Sequence, residues 1–370
     1  MALQQEIENR AKQIHTDGYA LSIGELMSLY RENEIDIHPE FQRFFRWTPI
    51  QKTKLIESIL LGIPIPPIFV SQREDGVWDV IDGLQRLSTI LEFAGLLRDS
   101  DKNPKPGSKL LGTEYLPSLE GKYWQKDEDQ ENSFDQSQRL IIKRAKLGVQ
   151  IIKKESDKDT KFELFQRLNT GGTSLTEQEI RNCILVMINK EFYKWLSEIS
   201  QNGNFKSTIP VTDRAFEEQY DVELALRYFV YKTITVEEVK ANKDVGKLLT
   251  DKMVEFASNN VFDFDSEKGN FTKAFLLLDK AFGEDVFRKW DETKNKFMGP
   301  FSIAAFEVIV TGLAKNLANF HDTPESIENL RTIIKSVSKN ETFIENSGNG
   351  KRASTRLPHF LPLGQKLFAK

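Results

Sequence analysis

Three short segments in the first half of the sequence concentrate side chains that bind phosphate. Residues 41–47 interleave arginines with aromatic rings, residues 81–86 have the sequence Ile-Asp-Gly-Leu-Gln-Arg, and residues 165–172 end in Asn-Thr-Gly-Gly. Arginine can fork onto two phosphate oxygens, and glycine lets a ligand approach the backbone closely. The segments therefore indicate a binding site for a nucleotide or for a nucleic-acid phosphate.

The second segment carries the most chemistry because it spans a predicted strand-to-helix junction. The strand ends near Asp82 and the helix begins at Gly83 or Leu84. Backbone N–H groups at a helix N-terminus, together with the helix dipole, attract anions. Arg86 could bind phosphate oxygens, Asp82 a divalent cation, and Gln85 a water. The alternative is structural: Asp82 caps the helix, and Arg86 pairs with a surface acid.

The flanking segments are weaker signals when each is taken alone. Arg43 and Arg46 lie between aromatic residues, which suits phosphate contact combined with base stacking. The same pattern also fits an aromatic anchor with solvated arginines. Asn169 precedes a Gly-Gly pair that could contact a ligand through its backbone, or could simply end a helix.

In this order, the three segments resemble the N-terminal domain of GmrSD-type modification-dependent restriction enzymes, which has a ParB/sulfiredoxin-like fold. Residues 213–227 also resemble the family's helical part, and the resemblance covers about residues 21–228. The matching positions are Gln42, Arg43, Trp47, Asp82, Gly83, Gln85, Arg86, Phe165, Asn169, Gly172, Leu175 and Glu179.

The resemblance implies an α+β fold, in which a small mixed sheet with helices is followed by a mostly helical domain. We expect a ParB-like domain over residues 1–190 and a helical domain over 191–370. The implied activity is nucleoside triphosphate (NTP) binding and hydrolysis with Mg²⁺, in a prokaryotic system that restricts phage DNA. The implied catalytic residues are Asp82, Gln85 and Arg86, with Asp82 as the candidate metal ligand. The implied nucleotide- and phosphate-binding residues are Gln42, Arg43, Arg46, Gly83, Arg86 and Asn169.

Two departures from the family pattern affect this interpretation. The family usually has Gln where this chain has Leu84. If that Gln orients the attacking water, its absence here impairs NTP hydrolysis but leaves NTP binding intact. Many relatives also carry a C-terminal HNH nuclease domain. The four histidines here are far apart in sequence and lack metal-ligand spacing, which leaves room for a separate nuclease partner.

Two other functions remain open from the sequence. The first is a metal-dependent DNA nickase that uses the same pocket. The second is a non-enzymatic protein that binds DNA or a partner through the basic, glycine-rich loop at 346–356. In that case Lys351, Arg352 and Arg356 would contact phosphates.

Composition limits these options. The net charge is −4 and the pI about 5.8, which excludes a strongly basic nucleic-acid-binding protein but not a local basic patch. A polar stretch at about 98–140 is predicted to be a surface insertion. The single cysteine, Cys183, excludes a disulfide framework and is expected to be buried in a helix. There is no apolar run long enough to span a membrane and no signal peptide, so a cytoplasmic protein is expected.

Local patterns predict several individual elements. Thr48-Pro49 should open a helix, and residues 66–70 and 77–81 should form two strands joined by a turn. A further strand is expected over residues 147–152. In the second half, Thr176 with Glu179 predicts a capping box. Asp213 is expected to cap a helix that runs to about Tyr231, and Thr323-Pro324 to open another.

Overall fold

The computed structural model describes residues 2–11, 15–37, 47–99, 102–156, 176–242, 244–258, 262–348 and 350–369. The chain divides into two units, residues 1–175 and residues 176–370. The division falls just before helix Glu177–Ile188, which the sequence analysis had assigned to the first domain.

The first unit combines helices with a five-stranded mixed sheet. The helices are α1 Ala2–Ala11, α2 Ile23–Arg31, α3 Pro49–Leu61, α4 Leu84–Phe93 and α5 Gln136–Arg144. The strands are β1 Thr16–Ser22, β2 Ile35–Asp36, β3 Ile68–Gln72, β4 Trp78–Asp82 and β5 Lys146–Ile152. Their order in the sheet is β1-β5-β3-β4-β2. The pairs β1–β5 and β3–β4 are antiparallel, whereas β3–β5 and β2–β4 are parallel. The predicted α+β class is confirmed.

Local sequence accounts for the elements that lead to the β4–α4 junction. Thr48 and Gln51 form a capping box at the start of α3, and Gly62 ends the helix in the left-handed conformation with φ of 70°. The β3–β4 pair is the predicted hairpin, and β5 is the predicted strand. Ile68 and Val70 of β3 are fully buried, so the hairpin is fixed against the core of the first unit.

The polar stretch at about 98–140 differs from the predicted surface insertion, because it supplies part of the core of the first unit. Leu110, Leu119 and Phe134 are buried in the same cluster as residues of the sheet and α4. The Phe134 ring packs edge-on against Phe93, with ring centroids 5.2 Å apart. The apolar residues are widely spaced among charged ones, so no periodic pattern revealed them. Asp135, in the acidic part of the stretch, caps α5.

The second unit is helical except for one short hairpin in its described part. Its helices include α6 Glu177–Ile188, α7 Lys190–Ser200, α8 Gly203–Thr208, α9 Asp213–Glu217, α10 Tyr220–Thr233, α11 Val236–Ala241, α12 Val245–Ser258 and α13 Phe264–Phe282. The hairpin pairs β6 Lys289–Asp291 with β7 Lys296–Met298. The later helices include α14 Ile303–Lys315, α15 Pro324–Val337, α16 Glu341–Asn346 and α17 Ala353–Phe368.

The helix predicted from Asp213 to about Tyr231 is two helices in the structure. Gln219 adopts the left-handed conformation, with φ of 60°, and separates α9 from α10. The predicted cap at Asp213 was also wrong, because the hydroxyl of Thr212 accepts the hydrogen bond from Ala215 N–H. The capping box at Thr176 and the helix opening at Thr323 are confirmed. Cys183 is buried in α6, as expected.

Helices α14 and α17 approach each other closely and enclose a charge. A Cβ on Gly364 of α17 would lie 2.4 Å from the Val308 carbonyl oxygen of α14, so only glycine fits there. Glu307 is fully buried in the mostly apolar α14. Its carboxylate accepts hydrogen bonds from Arg356 Nε at 2.6 Å and Nη2 at 2.9 Å. The α14–α17 packing therefore contains one bidentate ion pair.

Removing Arg356 should destabilise the protein in a pH-dependent way. Burial raises the pKa of Glu307, while Arg356 and Arg227 act to lower it. In Arg356→Ala the folded-state pKa rises further above the unfolded value, so stability falls as pH increases through that interval. We expect a loss of about 3–5 kcal/mol at pH 8 and a smaller loss at pH 5, measured by urea unfolding.

Arg352→Ala is the matched control because Arg352 is exposed just before α17 and makes no side-chain capping bond. Its stability should change by no more than about 0.5 kcal/mol at either pH. Equal losses in the two variants, or a loss in Arg356→Ala that does not depend on pH, would contradict the role assigned to the Glu307–Arg356 pair.

Candidate functional site

The candidate site of the first unit is the junction between β4 and α4. Asp82 is the last residue of β4, Gly83 lies between the two elements, and α4 begins at Leu84. Gln85 and Arg86 occupy the first turn of the helix. The strand-to-helix junction that the sequence predicts is thus present, with Asp82 at the end of the strand and Gln85 and Arg86 at the start of the helix.

Gly83 is explained by packing within the protein. Its φ is 89°, in the left-handed region that favours glycine. A Cβ at this position would lie 2.4 Å from Ile68 Cγ2 of β3 and 3.0 Å from Arg86 Nη2. Because Gly83 has no side chain, β3 and the Arg86 side chain can both pack closely against its backbone. No substitution can be accommodated here without moving one of them.

Arg86 joins the ends of two strands. Its Nη2 donates to Asp82 Oδ2 at 2.7 Å and to the Pro67 carbonyl at 3.0 Å, just before β3. The exposed side-chain fraction is 17% for Arg86 and 28% for Asp82, so both groups are only partly solvated. The predicted alternative, that Arg86 pairs with an acid, is thus partly realised: the partner is Asp82. The pair fixes the guanidinium beside the start of α4.

The start of α4 receives no capping hydrogen bond from the side chain of its own N-cap residue. Gly83 is the N-cap residue, so the predicted alternative in which Asp82 caps the helix was wrong. The first N–H groups of an α-helix have no acceptor within the helix. Here they lie next to Arg86, and the helix end and the guanidinium both attract negative charge. The junction can therefore receive an anion, and Asp82 supplies a carboxylate beside it.

Leu84 and Gln85 differ in their surroundings. Leu84 is partly buried and packs against the core of the first unit. The apolar side chain at this position thus serves packing. The Oε1 atom of Gln85 is shielded from solvent. The uncharged polar side chain in the first turn of α4 is therefore Gln85, whereas the side chain at position 84 is apolar.

Several predicted site residues lie outside the described part of the chain. They are Gln42, Arg43, Arg46 and Asn169. Their convergence on the junction remains a prediction. Trp47, the last residue of the first segment, is described; it is partly buried and packs against the core of the first unit.

Metal ligation by Asp82 also remains a prediction. The described residues contain no group of three or more histidine, cysteine or carboxylate side chains that could hold a metal ion. Mg²⁺ does not require such a group, because it is commonly bound by one or two carboxylates together with substrate phosphates.

The basic loop of the second unit contains two kinds of cation. Lys351 and Arg352 are exposed, whereas Arg356 lies within α17 and pairs with Glu307. Arg356 is therefore held inside the fold, in contrast to the solvated contact expected from the sequence. Sequence analysis also missed Glu307 and the Pro67 carbonyl. A lone glutamate within the apolar run of residues 303–314 is a signal that could have identified Glu307.

The described helices include none that is both long enough and apolar enough to cross a membrane. No curated protein and no solved structure matches the chain. Residues 23–186 match one family model, described as the GmrSD restriction endonuclease, N-terminal domain. The matched range contains the β4–α4 junction and the whole sheet except β1. The resemblance of this chain to the GmrSD N-terminal domain family is therefore confirmed over residues 23–186, and the family indicates a component of a restriction or defence system.

Proposed function

We propose that the first unit binds a nucleoside triphosphate at the β4–α4 junction and hydrolyses it as part of a prokaryotic system that restricts phage DNA. The observation that carries this proposal is the position of Arg86. Its guanidinium is held by Asp82 and the Pro67 carbonyl, beside a helix N-terminus whose N-cap residue, Gly83, has no side chain to cap it. The family match supports the defence context.

Phosphate binding is supported by pre-organised positive charge. Arg86 already lies in a defined orientation, so little side-chain freedom is lost when a ligand binds. Its Nε is buried and has no hydrogen-bond partner among the described residues. The backbone N–H groups at the start of α4 add donors that suit a phosphate. In the proposed complex, Gln42, Arg43, Arg46 and Asn169 complete the pocket.

Mg²⁺ binding is supported by the geometry of Asp82. Within the described residues, only Oδ2 of its carboxylate is engaged, in the bond to Arg86. A partly exposed carboxylate next to a phosphate site is a common protein contribution to a Mg²⁺–nucleotide complex. We propose that Asp82 contributes one oxygen to the ion and that the nucleotide phosphates contribute others.

Hydrolysis requires a positioned water and stabilisation of the charge that develops on the transferred phosphoryl group. Arg86 supplies the positive charge. Gln85, one residue earlier on the first turn of α4, is the side chain that can orient the water. This chain has Leu84 where the family usually has a glutamine. We therefore expect it to bind NTPs but to hydrolyse them slowly. Cleavage of DNA would be carried out by a nuclease that acts with this chain.

Arg86→Ala should weaken binding of NTPs by at least about tenfold, because a charge-assisted hydrogen bond contributes about 1.5–3 kcal/mol. Isothermal titration with ATP, GTP, CTP and UTP in the presence of Mg²⁺ measures this directly. Arg73→Ala is the matched control. It removes an arginine next to β3 at the opposite, turn end of the same hairpin, where Arg73 lies near Asp75 and Asp79.

The control should bind NTPs as the wild type does, and thermal melting should show that both variants are folded. The proposal fails if the wild type binds none of the four NTPs with Mg²⁺ present. It also fails if Arg73→Ala and Arg86→Ala lose affinity equally.

Leu84→Gln should increase the rate of phosphate release while NTP affinity changes little. The added amide restores the group that the family usually has at this position and provides a second means of orienting water. Leu84→Met is the control because it keeps an apolar side chain of similar volume against the core. Phosphate release under saturating NTP and Mg²⁺ is the measurement. An unchanged or lower rate in Leu84→Gln, with affinity retained, would show that residue 84 does not limit turnover.

A further inference from the structure

A second candidate site lies entirely within the second unit, outside the range matched by the family model. A cleft of about 420 Å³ is bounded by the β6–β7 hairpin, the start of α14 and the loop that joins α16 to α17. The loop is part of the glycine-rich basic segment that the sequence analysis singled out.

The charged side chains among the described lining residues of this cleft are all basic. They include Lys289, Lys351 and Arg356, and none of the described lining residues is an aspartate or glutamate. The chain as a whole is acidic, with a net charge of −4, so this concentration of cations is local. A concave surface that carries charge of one sign raises the local concentration of ligands of the opposite sign.

Two of the three cations have no carboxylate partner among the described residues. Lys289 Nζ lies 5.9 Å from the centre of the Phe343 ring, and Lys351 Nζ donates to the Glu345 carbonyl. Neither contact neutralises the ammonium charge. Both ammonium groups therefore retain a full charge and free hydrogen-bond donors for an anionic ligand.

Arg356 has a different role in the cleft. Besides its bidentate pair with Glu307, its Nη1 donates to the Lys351 carbonyl at 2.8 Å. The buried Glu307 thus holds Arg356, and Arg356 holds the backbone of the loop at Lys351. This arrangement fixes the loop relative to α14 and pre-organises the position of Lys351.

The backbone around the cleft leaves space for a ligand. A Cβ at Gly299, Gly348 or Gly350 would meet no atom within 4 Å, so these positions face open space. Gly299 and Gly350 also have positive φ, of 78° and 85°. Ser302 and the first residues of α14 line the same cleft.

We propose that this cleft binds a phosphate group carried by a nucleotide or by a nucleic-acid strand, through direct contacts from Lys289 and Lys351. Arg356 is a positioning residue, which acts by holding Lys351. The proposal is independent of the NTP site in the first unit, because every residue that carries it belongs to the second unit.

The test is fluorescence anisotropy with a labelled single-stranded 20-mer at several salt concentrations, together with isothermal titration of ATP. All proteins carry Arg86→Ala, which weakens the phosphate site of the first unit, so that differences among the variants report on the cleft of the second unit. The cleft variant is Lys289→Ala with Lys351→Ala. The matched control is Lys294→Ala with Lys296→Ala, which removes two lysines from the β6–β7 hairpin, outside the cleft lining.

We expect the cleft variant to bind at least tenfold more weakly than its parent, and the control to change less than about threefold. Loss of binding to the 20-mer identifies a strand as the source of the phosphate, and loss of binding to ATP identifies a nucleotide. In the strand case, the slope of log affinity against log salt should fall by about 1.4, or about 0.7 for each lost phosphate contact. Equal effects in the two double variants, or no binding of either ligand by the parent, would overturn the proposal.

Arg356→Lys tests the positioning role separately. Lysine keeps the charge but cannot bind both Glu307 oxygens and the Lys351 carbonyl. Affinity should fall severalfold while the salt slope stays at the parental value, because no phosphate contact is lost. A slope reduced by about 0.7, the value for one lost phosphate contact, would make Arg356 a direct contact and refute its positioning role.

Discussion

The first unit depends on a steric constraint at one residue, the contact between Gly83 and Ile68. β3 and the start of α4 pass so close together that no Cβ fits between them, and the backbone must take a left-handed conformation to turn from strand to helix. The same absence of a side chain lets Arg86 reach back over the junction to Asp82 and the Pro67 carbonyl. The orientation of the candidate phosphate-binding group is therefore a consequence of glycine packing.

The stretch between α4 and α5 supports this junction from the other end of α4. Phe93, the last residue of α4, packs edge-on against Trp124 and Phe134, which come from a segment of strongly polar composition. Lys52 of α3 also pairs with Glu92 of α4 at 2.6 Å. Helix α4 is thus held against the sheet at its beginning and against this segment at its end. A helix fixed at both ends can present its first turn in a constant position.

Buried charge organises the second unit. Arg181 and Arg227 both bind the carboxylate of Glu223, at 2.5 and 2.7 Å, and Glu307 binds Arg356. Such groups are costly to bury unless each has a partner. The Arg181–Glu223 pair links α6 to α10, and the Glu307–Arg356 pair links α14 to α17, whereas Arg227 and Glu223 both lie in α10. In the Glu307–Arg356 pair the same arrangement extends to the surface, because Arg356 also fixes the loop that carries Lys351. The Glu307–Arg356 pair therefore both joins α14 to α17 and holds one wall of the cleft in place.

The sequence alone determined the features that depend on neighbouring residues. The capping box at Thr48, the β3–β4 hairpin, the strand-to-helix step at Asp82 and the opening of α15 at Thr323 all follow from short-range patterns, because caps and turns satisfy backbone groups a few residues away. The order of the three motifs also sufficed to identify the family resemblance.

Only the tertiary structure decided the contacts between distant residues. Arg86 meets the Pro67 carbonyl across 19 residues, Arg356 meets Glu307 across 49, and scattered apolar residues of a polar stretch join the core. The break at Gln219 is likewise invisible in a helical pattern that continues on both sides of it. Neither periodicity nor capping encodes which distant group a side chain will reach. That choice is made when helices and strands pack and each buried polar group must find a partner.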